Sequence, residues 1–493
     1  MTKKDALSLL WDRNYKLNKL YHIDAIIGWD RETVAPLKSG QEQAEMSSLI
    51  SEYYYSEATS DDIKEAVASI TEEECETDED KAMVRFWKDY YRKEAVLGKE
   101  FVSEYSLASS LAQNKWLEAR KAKDFSIFAP YLERLVELNR EKAKIIDPDK
   151  DPYDVLLDLY EPGMSQKLID PMFSELAACI HTLLAKQDKN ICDSFLKCDY
   201  EKEKLHSFCE NVSKQMGFDL ERGAISISEH PFTSTLGQDD IRVTTRYTDP
   251  SVMDPISSIV HETGHALYEQ NAALNEKIRG TRLSEGVSMG VHESQSRFWE
   301  NFMGRSRAFW AYQYPFLQEA VPSLKDVDLD TFYKAINKAE ISPIRVNADE
   351  LSYSLHVIMR YELEKKLISG ELKVKDLPKA WDAMSLYVLG YKPKDIVEGV
   401  LQDCHWAGGS FGYFPTYVLG NFYAAMFLEE MKKSVDVEKA LSEGDYKPIT
   451  DWQNEHIWQY GCIYTPAQLL EKLNGKRLGV NAFCKYLKDK YNN

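Results

Sequence analysis

In this chain of 493 residues, His261-Glu262-Thr263-Gly264-His265 is the stretch whose residue types and spacing suit chemistry. Four positions apart on a helix, His261 and His265 lie one above the other and offer two imidazoles to one metal ion. Glu262 points about 100° round, beside the open coordination position, where a carboxylate can take a proton from water. The chemistry predicted is hydrolysis by a zinc-activated water and a general base. A catalytic zinc needs three protein ligands and one open position. The pattern with glycine at 268 and a third histidine at 271 is excluded, because Tyr268 and Asn271 stand there. Residues 284–297 offer a carboxylate instead. Glu293 shares its helical face with Gly286, Gly290 and Ser296, a nearly bare face that lets its helix approach the histidine helix closely. His292 lies about 100° away and is read as a supporting or substrate-facing histidine. Glu293 is therefore the expected third ligand and Zn2+ the expected ion.

The elements that must position these residues follow from periodicity. Asp254-Pro255 reads as an N-cap followed by a first helical proline, and Ile256, Ile259, Val260, Ala266 and Leu267 supply a buried helix. Two β-branched, alternating runs, 224–228 and 240–247, predict a small sheet just before it, an edge along which an extended peptide can lie. The remainder reads as helix: 5–27, then a loop from Gly28 to Pro36, then 41–55, much of 81–146, a short helix stopped at Pro162-Gly163, then 167–187 and 201–217. The acidic run 72–80 reads as a solvated turn. After 255 the pattern is helical apart from loops near Gly370 and 408–416. The fold class is mainly α. With neither linker nor repeat, the simplest organisation is a single helical domain over 1–493, with a small β element at 224–247, metal-binding helices at 255–303 and substrate-binding helices and loop at 340–425.

A net charge of −19 argues against nucleic-acid or anionic-membrane partners, both of which need a basic surface. No apolar run approaches the roughly 20 residues that span a bilayer, and Met1-Thr2-Lys3-Lys4-Asp5-Ala6 leads into an amphipathic helix, so a cytoplasmic location is expected. The eight cysteines lack CxxC spacing and are expected to be mostly reduced and buried.

Three further clusters hold more polar residues than packing requires: His230-Pro231-Phe232 with Asp240, Arg242 and Arg246; residues 344–350 around Arg345; and Gln402-Asp403-Cys404-His405-Trp406 followed by the aromatic loop of Tyr413 and Tyr417. A phenol or imidazole from that loop can donate to a tetrahedral oxyanion. Exopeptidase action would need an arginine for the free carboxylate, in the order Arg345, Arg242, Arg246. Each ligand histidine should donate its other ring N–H to an acceptor, Asp349 or Glu269.

Taken in order, His230-Pro231-Phe232, Asp240-Ile241-Arg242-Val243-Thr244, the 261–265 pentapeptide, His292-Glu293-Ser294-Gln295, Ile344-Arg345 with Ala348-Asp349, and Gly399 with Gln402-Asp403 and His405-Trp406 resemble the carboxypeptidase Taq family of thermostable zinc metallocarboxypeptidases. Trp29-Asp30 and Tyr160-Glu161-Pro162-Gly163-Met164 extend the resemblance over nearly the whole chain. It implies a gluzincin-like, multi-helix fold with a deep groove flanked by residues 1–75. It also implies a homodimer and the removal of single residues from peptide C-termini with zinc, or cobalt in some members. By match, His261, His265 and Glu293 would be ligands and Glu262 the base. Arg345, Arg242, His230, His405, Tyr413 and Tyr417 are the candidates for contacting substrate. Two departures, Asn347 and Arg297-Phe298, are expected to touch no ligand. The rival readings are a helical zinc endo-oligopeptidase or dipeptidyl carboxypeptidase, and a non-catalytic peptide-binding scaffold.

Overall fold

The computed structural model, described over residues 1–247 and 250–492, is mainly α with one three-stranded sheet. Its first helix, Lys3–Thr33, is capped by the Thr2 hydroxyl, which accepts from the Asp5 N–H. The break expected at Gly28 is absent. A single helical glycine costs about 1 kcal/mol. Burying a large side chain contributes about 1.5–3 kcal/mol, and Trp29 is buried with its ring edge-on to Phe232. The helix stops only ahead of Pro36, which cannot continue it.

The sheet has the strands β1 (Gly223–Ile227), β2 (Thr233–Gly237) and β3 (Asp240–Thr245) in the order β1-β3-β2. β1 runs parallel to β3 with Ile225 opposite Val243, and β2 runs antiparallel with Ser234 opposite Arg242. Only two of these strands are legible from alternation. β2 is the polar run Thr-Ser-Thr, with neither the β-branched density nor the period of its neighbours. Along β3, side chains alternate between faces. Ile241 and Val243 are fully buried, the strand packs on the helix Met253–Ala272, and Arg242 turns the other way, its guanidinium 5.6 Å from the Trp29 ring centre. The Trp29, Phe232 and Arg242 of three separate motifs thus meet at one place. β2 packs beside Lys3–Thr33.

The His261 helix, Met253–Ala272, begins two residues before the expected first turn, with Pro255 inside that turn rather than opening it. It is buried on nearly every side, which forces its polar residues to find partners. Thr263 bonds Ser213 at 2.9 Å, and Gln270 ties to the backbone of Asp219 and Arg222 ahead of β1. The Glu293 helix, Met289–Arg297, crosses it where Gly264 offers no side chain: a Cβ there would come 2.5 Å from the Gln295 carbonyl oxygen. The close approach expected from a bare face on the Glu293 helix is therefore made by a glycine on its neighbour. Gly286 lies outside the helix, in the turn before it. Gln295 is fully buried and its side-chain Oε1 accepts from Trp458 Nε1 and Gln453 Nε2, fastening the Glu293 helix from behind.

The residues group into two compact units. One comprises Met1–Tyr90, Ile191–Ile336 and Tyr423–Arg477 and contains the sheet and both helices just described; the other comprises Tyr91–Asn190, Asn337–Phe422 and the chain from Leu478 on. The first is filled by Trp87, Trp299, Trp310, Trp458 and Tyr446, the second by Trp381, Tyr153, Tyr361 and Phe173. The cysteines are free, as expected, but only Cys75, Cys179, Cys209 and Cys484 are buried; Cys192 and Cys404 are exposed. No helix among the described residues is long and apolar enough to cross a membrane.

Candidate active site

One ligand atom each from His261, His265 and Glu293 can be chosen so that all lie within 4.8 Å of one another. Glu293 Oε2 is 3.9 Å from His261 Nε2 and 3.5 Å from His265 Nε2. Two imidazoles and a carboxylate are the donor set of a catalytic zinc with an open position, and donors at about 2.0–2.2 Å from one ion must stand a few ångströms apart. The residues fit such an ion. Glu262 is 8% exposed, and its Oε2 accepts from the Thr233 hydroxyl at 2.7 Å. Burial pushes its carboxyl above the usual range, against the His261 charge and the Thr233 hydrogen bond.

What surrounds the donors was only partly foreseen. His261 Nδ1 is 2.8 Å from Glu300 Oε2. Burial pulls the His261 ring down, but the Glu300 hydrogen bond and the Glu293 charge win and raise it to about 9. His265 Nδ1 faces His292 Nδ1 at 2.5 Å, and His292 Nε2 faces Glu269 Oε1 at 2.8 Å. Burial, then the neighbouring His292 ring, lower His265 to about 3. Of the two acceptors expected for the histidines, Glu269 reaches His265 only through His292, and Asp349 caps another helix, accepting from the Leu351 and Ser352 N–H groups.

Arg297 corrects a second expectation. Its Nε donates to Glu293 Oε1 at 2.7 Å and its Nη1 to Glu300 Oε2 at 3.2 Å, so it touches a proposed ligand directly. Burial would raise the Glu293 carboxyl, yet the Arg297 charge and the contact with His265 hold it far below its ordinary value. Glu293, Arg297 and Glu300 recur at steps of four and three, a spacing that puts them on one helical face and could have revealed the trio. Glu300 itself sits on a π-helical turn, Phe298–Met303, a form common at functional sites. Asn347 is exposed in a 3-10 turn of the second unit.

His230 is exposed at the turn before β2, where its carbonyl accepts from the Ser228 hydroxyl. Arg242 is paired at both ends with Asp240, Nε to Oδ1 and Nη2 to Oδ2 at 2.7 Å each. The other candidates belong to the second unit. There Arg345, 7% exposed, donates from Nε to Asp403 Oδ1 at 2.9 Å and from Nη1 to the Tyr353 hydroxyl at 2.9 Å. Its guanidinium carbon is 5.3 Å from the Tyr417 ring centre, His405 Nε2 is 3.1 Å from the Tyr417 hydroxyl, and Tyr413 meets Tyr417 edge-on. Arg360, which sequence reasoning missed, donates to Asp403 Oδ2 at 2.6 Å. Its signal was an arginine inside the apolar run of a largely buried helix, where a charge persists only if paired. Burial would raise the Asp403 carboxyl, but two guanidinium charges hold it well below the carboxylate range.

The aromatic loop is fastened by Glu364, which accepts from Tyr153 Oη and Trp406 Nε1 at 2.7 Å each and from the Gly412 N–H at 3.0 Å. Gly412 has φ 85°, and a Cβ there would lie 2.8 Å from Leu156 backbone. Burial raises the Glu364 carboxyl to about 7 from 4.5, although all three hydrogen bonds oppose it. The folded protein then keeps a proton that the unfolded chain has released, so this residue's contribution to stability is complete below about pH 4.5. It is lost as pH rises towards 7, by on the order of 3 kcal/mol. Glu364→Gln should flatten that part of the curve of unfolding free energy against pH; an unchanged slope between pH 4.5 and 7 would refute the assignment.

The chain is similar to known proteins over nearly its whole length. The family model for the carboxypeptidase Taq (M32) metallopeptidases matches residues 10–491. Carboxypeptidase 1 of Bacillus subtilis (strain 168) is 40% identical, covering 95% of this chain and 94% of its own. Thermostable carboxypeptidase 1 of Thermus thermophilus is 37% identical, covering 100% and 99%. The crystal structure of the M32 carboxypeptidase from Deinococcus radiodurans R1 superposes with a TM-score of 0.95 at 34% identity, covering 99% of both chains. With a donor triangle suited to an ion and this likeness from end to end, the chain belongs to the carboxypeptidase Taq (M32) metallopeptidase family and is a metal-dependent carboxypeptidase acting on peptides.

Proposed function

We propose that this enzyme releases single amino acids from the C-termini of peptides with broad specificity, using zinc on His261, His265 and Glu293 and Glu262 as general base. The observation that carries the reading is the donor triangle of these three side chains with Glu262 next in sequence and anchored by Thr233. When bound, zinc supplies a Lewis acid that polarises a carbonyl and acidifies water to near-neutral pKa. Glu262 takes the proton of the attacking water on its carboxylate and returns it to the leaving amine. The Thr233 hydroxyl holds Oε2 and so keeps the carboxylate from turning away. His230, His405, Tyr413 and Tyr417 are proposed substrate contacts, a phenol or imidazole among them donating to the developing oxyanion. Arg345 remains the first choice for the substrate carboxylate and Arg242 the second; Asp403 and Tyr353 already fix the Arg345 plane. The family resemblance supports a single-domain protomer in a cytoplasmic homodimer, and cobalt as a substitute metal.

One experiment tests substrate and clamp together. An N-terminally blocked decapeptide should give a ladder of single-residue losses from its C-terminus, and its C-terminal amide should be a poor substrate. Internal cuts or released dipeptides would favour an oligopeptidase or dipeptidyl carboxypeptidase instead. Arg345→Lys should lower kcat/KM by roughly 10²-fold, with metal retained, and should blunt the preference for acid over amide, because an ammonium cannot reproduce a planar guanidinium. If Arg242→Lys blunts it and Arg345→Lys does not, the clamp lies on β3.

A further inference from the structure

The two ligand histidines are supported in unlike ways. His261 has the ordinary arrangement, a carboxylate at Nδ1. His265 instead presents Nδ1 to the Nδ1 of a second imidazole, a contact in which one ring must donate and the other accept. Which ring does which is decided on the far side of His292. Its Nε2 faces Glu269 Oε1 at 2.8 Å. Glu269 is an acceptor there, since the same carboxylate also takes the Gly286 N–H at 3.2 Å and the Thr235 hydroxyl at 3.2 Å. A carboxylate so surrounded by donors requires His292 to carry its hydrogen on Nε2. A neutral His292 then has a lone pair at Nδ1. That lone pair accepts from His265 Nδ1–H and leaves the His265 Nε2 lone pair, 3.5 Å from Glu293 Oε2, facing the metal position.

We infer that His292 is a positioning residue that fixes the tautomer of His265, with Glu269 setting the tautomer of His292 in turn. The inference rests on the metal-site reading above. The pose leaves little alternative: the two rings meet edge to edge through their Nδ1 atoms with centres 4.5 Å apart and planes 30° apart, the Tyr268 ring lies 5.7 Å away, and a Cβ at Gly286 would strike His292 Cδ2 at 2.3 Å. His292 is thus held on both sides and cannot exchange its two nitrogens by a ring flip without displacing its neighbours.

Asparagine and glutamine separate the functions of the two nitrogens. Asn Oδ1 stands near the place of His Nδ1 and can accept from His265. Gln reaches the place of His Nε2, towards Glu269, and leaves His265 without its acceptor. Zinc affinity of the apo-protein, measured by competition with a chromophoric chelator, should stay within about threefold of wild type for His292→Asn. It should weaken by about 10–100-fold for His292→Gln, the range typical of losing a ligand's hydrogen-bond partner. Equal weakening in both variants, or none in either, overturns the inference. His265→Ala is the control for the underlying reading: if it leaves zinc affinity intact, the metal site itself is wrong, and the two failures are told apart. A second measurement needs no variant at this position. Long-range ¹H–¹⁵N spectra of zinc-loaded wild type, with histidines labelled and His292 assigned by its loss in His292→Asn, should show His292 with hydrogen on Nε2 and His265 with hydrogen on Nδ1. Hydrogen on Nδ1 of His292 overturns the assignment even if the affinities follow the expected order.

Discussion

Glu262→Gln should keep its metal and lose at least about 10³-fold in kcat, about 4 kcal/mol of transition-state stabilisation. The substitution is nearly isosteric, and an amide in place of the carboxylate can still bond the Thr233 hydroxyl, so local packing should survive. None of the three donors is bonded to Glu262, and their supports at Glu300, His292 and Arg297 are untouched. What disappears is an acceptor for the proton of the attacking water, a function no amide performs. Metal analysis together with initial rates on one peptide checks both halves. A metal-free variant would show that Glu262 belongs to the binding of the ion rather than to the reaction.

Glu293→Ala is expected to be at least as damaging, and by another route. It removes a ligand and at the same time takes from the Arg297 guanidinium one of its two carboxylate partners, leaving Glu300. Breaking one side of an isolated buried ion pair costs about 3–5 kcal/mol, and the loss here is smaller because Glu300 still faces the guanidinium. Metal affinity should therefore fall by about 10³-fold or more, and the apo-protein should also melt earlier than wild type. His292→Ala, which removes a support and no ligand, should weaken affinity by only about 10–100-fold. If the two variants change places, the donor assignment is inverted and His292 holds the ion.

That His261, His265 and Glu293 come together was legible because helical periodicity is a local property. The pair His261 and His265 follows from a spacing of four, while Glu293 was reached through the absence of a third histidine and a bare helical face whose close approach Gly264 in fact makes. The residues that hold them were harder to read. Thr233 lies on a strand with no strand pattern, and it reaches Glu262 only because β2 folds back along β3. Long-range pairing of that kind leaves no local trace. Arg297 and Glu300 stood in helical step with Glu293, but charges on a helix ordinarily mark a solvated face, and here the whole face is buried. The reading of residues 28–36 as a loop failed because glycine and charge are weak signals beside the burial of one tryptophan. Arg345, by contrast, was correctly singled out as a residue with polar company, although a carboxylate of the protein already occupies part of its fork.

Gly264 has a consequence for how far this site can drift. A side chain at that position would press its Cβ against a backbone carbonyl, which cannot swing aside as a flexible side chain can. The helices bearing the histidines and the glutamate would have to part, and Glu293 would be drawn away from both histidines at once. Among variants selected only for retained activity, then, substitutions should accumulate readily at the exposed turn of His230 and scarcely at all at 264. The tightest limit on heredity in the pentapeptide falls beside its chemistry, on the one residue that contributes no functional group.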